Sequence, residues 1–187
     1  MELHVELNSW AQAEEHFRNL DQDRGREHYD RDMFNCELAL NLVGIGTLFS
    51  CSGHLDGLPA FPYITIIPQR VVSGLVPRYV SIVEAQPLSQ AALTVKNTLV
   101  HAMSELGQRL LSLLTGFYKE RQTPLPCRLV VQANGFGSYT LVNQGAVVGM
   151  LLDQETLRAY QDEFMAFGEY LKSIWEWLSN YSGVTKD

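Results

Sequence analysis

Thr47-Leu48-Phe49-Ser50-Cys51-Ser52-Gly53-His54 carries an apolar, β-prone run into a loop, and Tyr63-Ile64-Thr65-Ile66-Ile67 follows as a second β-prone run. Both runs are short, rich in β-branched and aromatic residues, and bounded by Gly or Pro. They predict strands over 47–50 and 63–68, joined by a loop over 51–62 that contains Gly53, Gly57, Pro59 and Pro62. Set among the helices expected around it, this pair makes the chain a mixed α+β one.

Upstream, Ser9 followed by Trp10, Ala11 and Gln12 reads as a capping box opening a helix that fades near Leu20. A polar loop is expected over 21–30. A second helix is expected over 31–43, with Phe34, Leu38 and Leu42 on one stripe and Gly44 placed to end it. Cys36 falls inside this helix and reads as a small buried hydrophobe. Downstream, Tyr79, Val80, Ile82 and Val83 suggest a third strand over 78–84.

A long helix should begin at 87–89 and reach Lys119, with Leu93, Val100, Met103, Leu110 and Phe117 as its stripe. Gly107 inside it marks either close packing or a break. Residues 127–133 and 138–143 read as strands about the turn Asn134-Gly135-Phe136-Gly137. A further strand is expected over 146–152. Asp153 then caps the last helix, with Glu155 in its first turn. Leu157, Tyr160, Phe164, Phe167, Leu171, Ile174 and Leu178 form its stripe, and Trp175 and Trp177 sit near its end. The expected architecture is one α+β domain over 1–187. In it, a small, mainly antiparallel sheet is packed by the long central helix, the C-terminal helix and the N-terminal helices.

The chain has 187 residues, 46% hydrophobic and 19% charged, the balance of a globular domain with a real core. A net charge of -7 argues against non-specific binding to a nucleic-acid backbone, which needs many Lys and Arg. Arg24, Arg26 and Arg31 interleave with Asp21, Asp23, Glu27, Asp30 and Asp32 and read as a solvated mixed-charge face. Residues 1–15 are acidic without an apolar run, so no secretory signal is expected, and no run predicts a membrane span. Cys36, Cys51 and Cys127 are too few and too scattered for a disulfide framework. These features predict a reduced, cytoplasmic protein.

The loop after the first strand carries the chemistry. Cys51 lies three residues before His54, with Gly53 allowing a tight turn between them. A cysteine nucleophile works as a thiolate and needs a base or cation nearby. Cys51 and His54 are thus the candidate catalytic pair, with Asp56 able to orient the imidazole. Ser50, Ser52, Gly53 and Asp56 are the candidate ligand-binding residues. The spacing of Cys51 and His54 is half of a zinc site, but the other half is missing, so no metal is expected. Asn134-Gly135-Phe136-Gly137-Ser138 has a strand after it, so it reads as a hairpin turn and not a dinucleotide loop.

Ser50-Cys51-Ser52-Gly53, between two β segments, resembles the Ser-Ser-Cys-Ser-Gly motif of the wybutosine-synthesis methyltransferase family (the TYW3 family). That family consists of small α/β proteins that use S-adenosylmethionine on a tRNA guanine derivative. Phe49 stands where the family has its first serine, and His54 where it has arginine. The motif ending in His is also similar to one in small bacterial and phage proteins. The resemblance implies a strand, a Cys-Ser-Gly turn, a strand and a ligand nearby.

Two classes of function follow. One is an enzyme acting on a small-molecule or nucleotide-like substrate through Cys51 and His54. The other is a non-catalytic ligand-binding or interaction protein, with the loop as its binding feature and the last helix as a homodimer face. The residues by themselves name no cofactor.

Overall fold

The computed structural model describes residues 9–23, 31–56, 60–68, 89–134, 137–150 and 152–182. Among these, five helices and a four-stranded antiparallel sheet form an α+β fold. The order is α1 (Trp10–Asp23), α2 (Arg31–Leu42), β1 (Gly46–Cys51), β2 (Tyr63–Ile67), α3 (Gln90–Phe117), a 3-10 turn (Leu125–Cys127), β3 (Leu129–Ala133), β4 (Tyr139–Asn143), the short α4 (Gln144–Val147) and α5 (Gln154–Ser182). The expected third strand over 78–84 and the arginines Arg24 and Arg26 lie outside the described residues. No described helix is long and apolar enough to cross a membrane.

The helix ends obey local chemistry. Ser9 Oγ accepts the N–H of Gln12, Ser89 Oγ that of Ala92, and Asp153 Oδ1 that of Thr156. Each satisfies a donor that the first turn leaves open. The amide bond lowers the Asp153 carboxyl below its ordinary range. Gly44 takes φ +79 to end α2, and Arg109 of α3 donates to the carbonyl of Val43 just before it.

The strands run β1-β2-β4-β3, all antiparallel. Ile64, Ile66, Leu141 and Leu129 face the helices and join Met33, Cys36 and Leu40 of α2, Leu106 and Leu110 of α3, and Phe164, Phe167 and Leu171 of α5. Each large side chain fully buried here contributes about 2 kcal/mol. Cys36 is fully buried, as expected of a small apolar side chain inside this helix. Gly168 lets α5 approach α2, because a Cβ there would lie 3.0 Å from Cys36 Cα. Between Thr47 and Phe49 the register slips, so Leu48 is a bulge residue and the outward face resumes at Phe49. Asn41 Nδ2 ties α2 to this kink by donating to Thr47 Oγ1 at 2.8 Å.

Several expectations are corrected. The first helix runs to Asp23, so residues 21–23 are helical, and 24–30 lie outside the described residues. The buried face of α3 is Ala92, Val95, Leu99, Leu106, Leu110, Leu114 and Phe117, while Leu93 and Val100 are exposed. Apolar residues occur on two sides of this helix. The buried side is set by Gly107, which meets the Tyr139 ring; a Cβ there would come within 2.8 Å of the phenol oxygen. The first residues of the expected strand over 127–133 form the 3-10 turn, and β3 starts at Leu129. Residues 144–147 are helical, not part of a strand over 146–152, with Asn143 at the N-cap. A short apolar run does not distinguish these states by period. Leu178 at the end of α5 is exposed, because the helix outruns the core after Trp175.

Candidate functional site

Cys51 closes β1 at the edge of the sheet, paired with Tyr63 of β2. Ile64 and Ile66 point into the helical layer, so Tyr63 and Thr65 point to the other face, and with them their partners Cys51 and Phe49. Cys51 therefore lies on the outer face beside two aromatic rings: Phe49 two residues back along its own strand, and Tyr63 across from it, which packs with Val142 of β4, Ala146 of α4 and Tyr160 of α5. Phe49 is 57% exposed, while Tyr63 and Cys51 are half-buried. Ser50 pairs with Ile64 and so belongs to the opposite face.

After Cys51 the chain turns sharply. Gly53 adopts φ +83, and its N–H donates to Cys51 Sγ at 3.4 Å. A Cβ at Gly53 would meet Ala60 O at 2.8 Å and Leu157 Cδ1 at 2.9 Å, so both the backbone angle and the packing require glycine. Ser52 is 6% exposed, and its carbonyl accepts from Gln161 Nε2 at 3.0 Å. The turn is thus docked on the first half of α5. His54, Leu55 and Asp56 continue the loop in solvent.

The candidate residues are accordingly spread over several environments. Ser52 and Gly53 go inward against α5, Cys51 sits half-buried on the outer sheet face, and His54 and Asp56 are exposed. Among the described residues, no hydrogen bond links Cys51 to His54 or His54 to Asp56. Nor does any group of three or more His, Cys, Asp or Glu stand ready to hold a metal ion.

Other polar chemistry lies at the connection between α3 and β3, where no candidate was expected. Glu163 of α5 is 3% exposed and binds Arg121 Nη2 at 2.9 Å and the Thr123 hydroxyl at 3.1 Å. The Tyr118 hydroxyl accepts the N–H of Leu129 at 2.7 Å and also bonds Glu163. Burial foremost, and then the neighbouring carboxylate, push the Tyr118 phenol up despite the Leu129 amide. Burial and then Glu163 likewise raise the Cys127 thiol. Arg121 and Arg128 stack over Phe117 and Tyr118. Every partner here is used inside the fold, and the cluster fixes a connection. A cleft of about 430 Å³ opens at the far end of the sheet, lined by Leu99, Val100, Met103, Ala133, Gly137 and Tyr139 among others.

Sequence reasoning missed Gln161, which holds the site loop, and Glu163, which holds the connection between α3 and β3. Glu163 had a signal: it falls three residues after Tyr160 and four before Phe167, on the apolar stripe of α5. A carboxylate in that position needs a cation from elsewhere. Gln161 had none. No family model, curated protein or solved structure matches this chain.

Proposed function

We propose that the protein binds a small, planar, nucleotide-like molecule on the open sheet face around Cys51. One observation carries this reading: Cys51 lies between Phe49, which is exposed, and the ring of Tyr63, at the border between the uncovered part of the outer sheet face and the cluster that Tyr63 forms with Val142, Ala146 and Tyr160. Aromatic side chains on a sheet face take a planar ring by stacking, worth about 1–3 kcal/mol per base. His54, Asp56 and the exposed Leu55 rim the same end of the sheet and supply polar and apolar edges for the rest of the ligand. The chain's acidity disfavours a long nucleic acid and leaves a single nucleoside-like group as the better fit. S-adenosylmethionine, the ligand implied by the Ser50–Gly53 resemblance, has an adenine for the rings and a sulfonium that aromatic faces attract.

Titrating the protein with adenosine and with S-adenosylmethionine, followed by amide chemical shifts, tests this. Shifts should centre on residues 49–56 and 63–65. Phe49→Ala should weaken binding about tenfold or more while the fold is kept. Shifts centred elsewhere, or none, would contradict it.

A second reading, thiol catalysis, is favoured by the Gly53 N–H aimed at Cys51 Sγ, an arrangement that supports negative charge on sulfur. Under it, His54 sets the reactivity of Cys51, and His54→Ala slows alkylation at neutral pH. Equal alkylation rates in the two proteins would leave the binding reading alone.

A further inference from the structure

We propose that the ligand of the outer sheet face is an unphosphorylated nucleoside, and that this face discriminates against the corresponding phosphates. The proposal rests on the reading of Phe49, Cys51 and Tyr63 as the stacking site. Phe49 pairs with Thr65, Thr65 with Thr140, and Thr140 with Gln132. Cross-strand partners share a face, so these side chains form one row across the whole sheet on its outer side. Neighbouring strands lie about 4.8 Å apart, which puts Thr65 one step and Thr140 two steps, about 10 Å, from Phe49. The next row is Cys51, Tyr63, Val142 and Val130. It is apolar toward β3, and Ala146 and Tyr160 pack over it. A ring stacked at Phe49 is closed off on that side, and its substituent runs along the hydroxyl row.

The row matches a sugar and not a phosphate. Thr65 and Thr140 are half-buried, and Gln132 is exposed. Asn134 donates to Thr140 Oγ1, which leaves the Thr140 O–H to donate in turn. Two hydroxyls and an amide give and accept neutral hydrogen bonds, as the hydroxyls of a sugar do. A phosphate is held by cations or by free backbone N–H groups. The strands Gly46–Cys51, Tyr63–Ile67, Leu129–Ala133 and Tyr139–Asn143 contain no charged residue, and neither does α4.

The surroundings add negative charge. With His54 neutral, the loop from Ser52 to Pro62 carries one charge, the carboxylate of Asp56. The first turn of α5 adjoins this loop through Leu157 and Gly53. Its N-terminus already holds the Asp153 carboxylate, and Glu155 adds a second. A phosphate placed on this face loses water without gaining a cation, and it meets carboxylates at the loop end.

Adenosine and AMP carry the same ring and differ at the phosphate, so titrating the full chain with each, followed by amide shifts, tests the proposal. Adenosine should shift residues 49–51, 63–65 and 140, and AMP should bind at least about tenfold more weakly. Thr65→Val keeps the branched shape, removes the hydroxyl, and should weaken adenosine about fivefold. Gln132→Lys sets a cation at the far end of the row and should raise the affinity for AMP relative to adenosine about fivefold. Melting curves confirm that each variant is folded. AMP binding at these residues as tightly as adenosine would overturn this inference and leave the stacking site standing, as would happen if Arg158, the first cation along α5, reached the phosphate. Failure of both molecules to bind would remove the stacking site, and this inference with it.

Discussion

Two loops dock on the first half of α5, and they are held in different ways. The loop after β1 is tied by one neutral bond, Gln161 to the Ser52 carbonyl, and by the fit of Gly53 against Leu157. The connection between α3 and β3 is tied by a buried carboxylate, Glu163, with Arg121, Thr123 and Tyr118 around it. The second loop has the stronger electrostatics and spends all of it internally. The first has the richer sequence chemistry and leaves its imidazole and carboxylate in solvent. Strong internal pairing marks scaffold here, and lightly held groups on a rigid turn mark the surface available to a ligand.

The contrast is broken if the two anchors prove equal. Glu163→Ala removes the partner of three groups at once and should cost about 3 kcal/mol or more, read as a fall in chemical-denaturation midpoint. Arg121→Ala should cost about 2 kcal/mol, because it leaves the buried Glu163 carboxylate with hydroxyl partners only.

Gly53→Ala comes next. It forces a side chain into φ +83 and against Ala60 and Leu157, and should cost about 2 kcal/mol. Amide shifts should move at the site loop and along the start of α5, while the 118–128 connection stays unchanged. Gln161→Ala should cost about 1 kcal/mol and speed hydrogen exchange in the loop without moving the core.

Alkaline pH probes the scaffold alone. Burial, and then the charge of Glu37, push the Cys36 thiol up, and burial raises the Tyr118 phenol. The folded chain thus holds protons that the unfolded chain releases. This contribution is full below the ordinary thiol range of about 8.5 and falls as pH rises through it and then through the phenol range near 10. Cys36→Ala should flatten the first part of that loss in a pH series of melting temperatures. A steeper loss in the variant would contradict the assignment.

Much of this molecule is legible in its sequence. The capping residues Ser9 and Asp153, the start of α3 by Ser89 and the stripe from Leu157 to Leu171 act through local rules, and the structure follows them. The β1–β2 pair and the hairpin at Asn134 also follow from period and turn chemistry. The buried side of α3 was not legible, because a helix apolar on two sides is oriented by what packs on it, here Tyr139 against Gly107. The bulge at Leu48 was equally hidden, and it decides that Phe49 and Cys51 share the outer face. The loop's composition pointed to Cys51, but the separation of Ser50, Ser52 and His54 into different environments depends on register and on α5.

The most direct measurement is ligand protection of cysteines. The protein is alkylated with iodoacetamide, with and without saturating S-adenosylmethionine or adenosine, and each cysteine is followed by mass spectrometry. Cys51, half-buried between Phe49 and Tyr63 on the outer sheet face, should be modified several-fold more slowly when ligand is bound. Cys127, beside Glu163, should be unaffected, and Cys36, fully buried, should stay unmodified in both. Equal modification of Cys51 with and without either ligand would contradict the account.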